Sequence, residues 1–283
     1  MAAVAYSASW QALILTNDGL VAYKRVGGSD GTRLVPDLAT SIPNPTDGGT
    51  TYTFQLRYGI RYSNGALVQP AGFRRGIERS VAGLESGGGT GFYYSSIVGY
   101  AACLKAPTRC NLSKGIVTDS VSNTVTFHLD APDPDFLLKL ALPGAYAVPV
   151  GTPLKAWLPL PATGPYMLAS YDAKRGVRLV RNPRFQVWNR AAQPDGYPDA
   201  LVWRFNVLPD AQRRAVGQGK ADVAADGGTP NQGLFPPRAL LPTLREQYAS
   251  QLKVNPLITT ALSQEWLYSV RLFRGWSRSR RSR

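Results

Sequence analysis

Histidine, cysteine and carboxylates are all scarce in this sequence, and each shortage narrows what the chain can do. Of 283 residues one is histidine, two are cysteine, and 18 are Asp or Glu against 32 Lys or Arg. A Ser-His-Asp site needs an imidazole beside its nucleophile. The sole histidine, His128, falls on the polar side of the alternating stretch "NTVTFHL". The pattern G-x-S-x-G does occur at Gly27-Gly28-Ser29-Asp30-Gly31, but it reads as a polar loop, without the strand before it and helix after it that a nucleophile elbow requires. Phosphate-cradling glycine motifs of the P-loop and dinucleotide types are also missing. A catalytic role and a cofactor are therefore not expected.

Long apolar runs are absent too. The best candidate, "LALPGAYAVPV", is short and broken by Pro143 and Pro149, far from the roughly 20 residues of a membrane-spanning helix. The opening "MAAVAYSASW" has no basic segment, apolar core and cleavage site of a secretory leader, so no export signal is read in this chain. The two cysteines lie close together in "CLKAPTRC". That spacing suits a local disulfide between Cys103 and Cys110 in an oxidising compartment; two free thiols are the alternative, and a metal site would need ligands the sequence does not supply nearby.

The deficit of acids leaves a formal net charge of +14. Much of it sits in the tail "RLFRGWSRSRRSR", whose six arginines and no acids, once set aside, leave +8 for residues 1–270. The body has no dense basic stripe interleaved with aromatics, as a nucleic-acid groove would need. Residues 271–283 read as a solvated, disordered tail, more in keeping with a shifted reading frame than with a nucleic-acid arm.

What is present is the composition of a folded α/β chain. Tyr52, Phe54 and Leu56 alternate with Thr53, Gln55 and Arg57, and Val125, Phe127 and Leu129 repeat the period of two, as do Leu201, Trp203, Phe205 and Val207. Phe73, Ile77, Val81 and Leu84 carry helical spacing after Pro70, with Gly87 to Gly89 as the stop. A second helix is predicted from an N-cap at Asp210 to about Gly219, followed by a short strand in "ADVAA". Proline and small residues from Ala131 to Pro165 read as a long connection between two units.

Three stretches then carry a resemblance. "LVPDLATSIPNPTDGGTTYTFQLRYGIRYSNGALV" (Leu34 to Val68), "TGPYMLASYDAKRGVRLVRNPRF" (Thr163 to Phe185) and "PDGYPDALVWRF" with "AQRRAVGQGKADVAA" resemble, in order and spacing, the family 5 extracellular solute-binding proteins, the peptide and nickel receptors of ABC importers. "LTNDGLVAY" is similar to that family's early "YDGLV" segment. The resemblance implies a type II periplasmic-binding-protein fold of mixed sheets and helices, with two partial lobes present and the C-terminal lobe missing. It implies a discontinuous base lobe over 1–37 and 164–270, with a strand-rich lobe over 38–163 inserted into it. A substrate-binding component for peptides or similar small solutes follows, working with an ABC permease at the outer face of the membrane or in the periplasm. It would bind without catalysis, as a monomer, with no nucleic acid. A ligand-sensing domain of a regulatory protein and a basic nucleic-acid-associated protein are the alternatives.

For ligand contact the candidates are aromatic: Tyr6, Trp10, Tyr93, Tyr94 and Tyr166, since Tyr and Trp join large apolar area to a hydrogen-bonding tip. Thr163, Gly164 and Pro165 are expected to form a turn or hinge where the long connection re-enters the second unit.

Overall fold

A computed structural model of the protein describes residues 7–83, 91–154 and 159–224. Within these residues the chain forms two compact units. The first takes the chain up to Arg25, Thr32–Ala169 and Leu179–Ala200; the second takes Val26–Gly31, Ser170–Arg178 and the stretch from Leu201 onward. The tail at 271–283 and the expected disorder there lie outside the described residues, as does Tyr6.

The first unit opens with helix α1 (Ser7–Thr16), followed by strands β1 (Val21–Tyr23) and β2 (Leu34–Pro36), which pair antiparallel with Ala22 opposite Val35. Next comes a three-stranded antiparallel sheet in the order β3 (Thr51–Gln55), β5 (Thr124–His128), β4 (Ile116–Asp119). Its register sets Tyr52 opposite Phe127 and Phe54 opposite Val125. The alternation legible in the sequence therefore points one set of side chains inward. Phe54 and Phe127 meet edge to face at 5.8 Å, and Phe127 and Tyr52 both contact Phe136, at 5.3 and 5.1 Å. The outer face is held by hydroxyls and the lone imidazole, with Thr53 against Thr126 at 3.0 Å and Thr51 against Nδ1 of His128 at 3.3 Å.

Helix α2 (Pro70–Ala82) covers this sheet. Proline at its first turn loses no hydrogen bond, and the helix turns Phe73, Ile77 and Val81 fully inward. Each such side chain contributes about 1.5–3 kcal/mol of burial. The helix ends at Ala82 with Gly83 as its cap, before the predicted stop at Gly87–Gly89, and Leu84 lies outside the described residues. On its other flank Gly72 and Gly76 admit a backbone. A Cβ at Gly72 would stand 2.5 Å from the Val148 carbonyl, and one at Gly76 would run into that of Tyr146. Ser80 fixes the same contact by donating to the Gly144 carbonyl at 2.7 Å.

The expected long connection after Ala131 is more ordered than its composition suggests. It contains helix α4 (Phe136–Leu140), which drives Phe136 into the core, and a 3₁₀ turn at Pro143–Ala145. Between the sheet strands, helix α3 (Tyr100–Lys105) leads into a loop closed by a disulfide between Cys103 and Cys110, whose Cα atoms are 4.3 Å apart.

A third sheet runs in the order β6 (Tyr166–Asp172), β7 (Gly176–Arg181), β8 (Ala200–Arg204). In the second unit, Tyr171 packs edge to face on Phe205 at 6.4 Å, and the Phe205 N–H donates to the Arg175 carbonyl at 3.0 Å. Strand β8 stops at Arg204, short of the predicted Val207, because Asn206 turns to φ 56° and donates its amide to the Lys174 carbonyl. Helix α5 (Pro209–Gly217) starts one residue before the expected cap: Leu208 holds the cap position, Pro209 fills the first turn, and Asp210 lies inside it, paired with Arg213. Within "ADVAA", residues 221–224 form no strand. The Gly27–Gly31 segment is a polar loop ending in a 3₁₀ turn at Ser29–Thr32, with no strand-to-helix elbow. Among the described residues no helix is long and apolar enough to cross a membrane.

Candidate functional site

A cluster of buried polar groups lies in the first unit where α1 ends. Thr16, Asn17, Asp18 and Gly19 follow one another there, and the first three are buried. The Thr16 carbonyl, left without a helical partner at the C-terminus of α1, accepts two backbone N–H groups, from Thr163 and Gly164, both at 2.9 Å. Asn17 donates to the Pro161 carbonyl at 3.1 Å. Asp18 accepts the Thr163 hydroxyl at 2.5 Å and the Gln193 side-chain amide at 2.6 Å, drawing together residues 145 and 175 positions away.

Thr163, Gly164 and Pro165, expected as a turn, form a bend clamped on both sides. On one side stands the Thr16 carbonyl. On the other, Asn182 donates its amide to the Gly164 carbonyl at 2.9 Å and its backbone N–H to the Pro165 carbonyl at 2.9 Å. A Cβ on Gly164 would come within 2.7 Å of the Leu15 carbonyl oxygen, so glycine is required by close backbone approach. Ser63 ties in the residue before the bend, exchanging hydrogen bonds with Ala162.

A second buried carboxylate, Asp37, accepts the Trp188 indole N–H at 2.8 Å, and Asn189 donates to the Pro36 carbonyl at 2.7 Å. Arg25 turns its guanidinium to the carbonyls of Ile14 and Ala192, both at 3.2 Å. It faces both acids electrostatically and, among the described residues, forms no ion pair with either. Burial raises Asp18 from 3.8 to about 6 despite its hydrogen bonds from Thr163 and Gln193 and the charge of Arg25. Asp37 is pushed well above the usual carboxylate range, by burial first and then by the charge of Asp18. Two buried carboxylates that repel one another, beside a half-buried guanidinium, release their protons less readily than water-exposed ones.

Every polar group named here has a partner, and none is a nucleophile presented to solvent. The arrangement fixes the geometry of the chain where it crosses between its segments. Beside it, Ala12, Leu13, Thr16, Asn17, Pro159, Leu160, Leu168 and Leu179 line a mostly apolar cavity of about 30 Å³, room for a water and far too little for a peptide. No three His, Cys, Asp or Glu side chains gather as a metal-binding group among the described residues.

The aromatic candidates separate. Tyr94 is a core residue: it is fully buried, and its hydroxyl donates to the Lys139 carbonyl at 3.3 Å. Tyr166 is fully buried as well, with its hydroxyl on the Pro198 carbonyl at 2.9 Å and the Arg181 guanidinium 5.8 Å from its ring centre. Neither offers ring surface to a solute, because packing within the first unit already uses both faces. Tyr93 is half-buried and stacks at 4.2 Å on the exposed ring of Phe92. Trp10 is half-buried, and its indole N–H is enclosed without an acceptor among the described residues. The sequence reading missed Asp18, Asp37, Gln193 and Asn182 as a group. For Asp18, Asp37 and Asn182 the signal was visible only as polar residues in "LTNDGL", "LVPDLA" and "LVRNPRF", and Gln193 in "RAAQPDG" carried none.

The described residues form part of a type II periplasmic-binding-protein fold, as their likeness to solved binding proteins shows. The chain belongs to the bacterial extracellular solute-binding proteins, family 5, whose model matches residues 33–251. A solved structure of the clavulanic acid biosynthesis oligopeptide binding protein 2 is 27% identical, with a TM-score of 0.66 over 78% of this chain and 40% of that one. The substrate-binding domain of an oligopeptide ABC transporter from Bacillus anthracis str. Ames is 20% identical, with a TM-score of 0.60 over 79% of this chain and 42% of that one. OppA from Haemophilus influenzae, in complex with RPPGFSPFR, is likewise 20% identical, with a TM-score of 0.63 over 84% and 44%. The chain thus spans about two fifths of the solved structures it matches. No curated protein matches the sequence.

Proposed function

We propose that this protein is a substrate-binding component of an ABC-type importer for peptides or similar small solutes, holding its ligand without chemical change. The observation that carries this is the structural likeness to the oligopeptide binding protein at 27% identity, on a chain whose family binds solutes outside the cytoplasm. The polar junction at Asp18 supports it physically, because its closed hydrogen bonding suits a rigid frame for a binding cleft. Trp10 and Tyr93 are the contact residues we assign, as the two described aromatic candidates that keep surface or an unused donor. Tyr6 is proposed with them on sequence alone. An ABC permease is the partner this role requires.

The test is thermal unfolding of the full chain with and without mixed short peptides. A ligand that binds only the folded state stabilises it by about 2.7 kcal/mol at one hundred times its Kd, a shift readily seen in Tm. Stabilisation by peptides that is lost in Trp10→Ala supports the assignment. A Tm unmoved by every peptide pool, in a chain that unfolds cooperatively, refutes it.

A further inference from the structure

Four asparagines use their side-chain oxygen in the same way. Oδ1 of Asn64, Asn111, Asn182 and Asn189 accepts the backbone N–H two residues on, from Ala66, Ser113, Arg184 and Ala191, at 3.0–3.1 Å. In such a turn the side-chain carbon Cγ and the nitrogen of the following residue belong to one hydrogen-bonded ring, so an electrophile and a nucleophile are held near each other. The residue that follows decides whether they react. Asn182 precedes Pro183, whose nitrogen has no proton to lose. Asn111 precedes Leu112, whose N–H is buried on the Glu78 carboxylate at 3.0 Å, and Asn189 precedes Arg190, whose Cβ crowds the approach. Asn64 precedes Gly65, which has no Cβ and turns to φ 91°. No other asparagine of the sequence is followed by glycine.

The surroundings of Asn64 supply what the reaction needs. Its side chain is exposed to water. The turn that carries it is closed by the Tyr62 N–H on the Ala66 carbonyl at 2.9 Å and the Gly65 N–H on the Tyr62 carbonyl at 2.8 Å. The Gly65 N–H must leave that carbonyl and give its proton to hydroxide before the nitrogen can attack. Two cations stand beside it: Arg61 donates to the Gly65 carbonyl at 2.8 Å, and the Arg184 guanidinium carbon lies 3.5 Å from where a Cβ on Gly65 would stand. Neither has an ion pair among the described residues. Positive charge at this distance favours the amide anion, and the Ala66 N–H on Oδ1 draws electrons away from Cγ.

We propose that Asn64 is a self-modification site, deamidated in the folded protein by the backbone nitrogen of Gly65. That nitrogen loses its proton and bonds to Cγ, closing a succinimide, while the bond from Cγ to the side-chain nitrogen breaks and ammonia leaves with a proton. Water then opens the ring. Cleavage between the Gly65 nitrogen and Cγ gives aspartate, and cleavage between that nitrogen and the main-chain carbonyl carbon gives isoaspartate. Either product sets a carboxylate near Arg61 and Arg184. Isoaspartate also lengthens the main chain by a methylene just beyond Ser63, which exchanges hydrogen bonds with Ala162 next to the bend.

The test incubates the full chain at mildly alkaline pH, folded or in urea, then reads its tryptic peptides by mass spectrometry and its isoaspartate by methyltransferase labelling. Ammonia release and conversion at Asn64 are expected in the folded chain, at a rate proportional to hydroxide, with Asn111, Asn182 and Asn189 unchanged and no labelling in Asn64→Gln. Conversion of Asn64 only in urea, equal conversion at Asn111 or Asn189, a rate indifferent to hydroxide, or labelling that persists in Asn64→Gln would overturn the proposal. The isoaspartate fraction, collected by ion exchange, is expected to unfold at a lower urea concentration than Asn64→Asp, which has the carboxylate without the added methylene. Equal midpoints would overturn the link to the bend.

Discussion

Replacing Gly164 by alanine tests the polar junction at its tightest point. The new Cβ would lie 2.7 Å from the Leu15 carbonyl oxygen and 3.1 Å from the carbonyl carbons of Leu15 and Thr16. These are backbone atoms at the end of a helix, so the collision cannot be relieved by rotating a side chain. Either the bend or the end of α1 must move. Overpacking of this kind costs about 1–3 kcal/mol. Movement also strains the two N–H bonds to the Thr16 carbonyl and the Thr163 hydroxyl bond to Asp18. A neutral hydrogen bond contributes about 1 kcal/mol and one to a charged group about 1.5–3. With partial loss of these, the expected destabilisation is about 3 kcal/mol, a fall in Tm of about 5–10 °C for a chain of this size. Urea unfolding of parent and variant under identical buffer measures it: the midpoint should fall while the slope stays constant. A midpoint unchanged within error would refute the close packing of α1 on the bend, and with it the role of the junction as a rigid frame.

Two further predictions concern the buried acids and the disulfide. Asp18 binds its proton more tightly folded, at about 6, than at the ordinary value of 3.8, so the native state holds the extra proton between those values. Its contribution is therefore greatest below 3.8 and is lost as pH rises through 6, by about 3 kcal/mol at most. Asp37 acts in the same direction. Stability measured by urea titration across this window should decline less steeply in Asp18→Asn than in the parent, and parallel slopes would contradict the assignment. Cys103→Ser/Cys110→Ser opens a loop whose ends are seven residues apart. Loop-closure entropy then predicts a loss of about 2.5 kcal/mol, readable by the same titration, with no change in the parent on adding oxidant.

How much was legible in the sequence depended on the range over which each structure is determined. Strands β3 and β5 and helix α2 could be read because their periods of two and of three to four are local, and the inward faces of Phe54, Phe127 and Ile77 match them. The start of α5 was misplaced by one residue because proline, which needs no capping partner, took the first turn ahead of Asp210. Tyr94 and Tyr166 were not legible as core residues, since an aromatic side chain looks alike on a cleft and in a core until its neighbours are known. The Asp18 cluster was hidden for a plainer reason: its partners Thr163 and Gln193 lie 145 and 175 residues along the chain, and nothing local marks them as a set.

Those separations bear on how the molecule is made. A ribosome that has just released Asp18 must add a further 175 residues before Gln193, the last of its hydrogen-bond donors, exists. Long-range closure of this kind is slow and comes late in folding. Until both partners have been made, the Asp18 carboxyl lacks its two side-chain hydrogen bonds, and the junction cannot close.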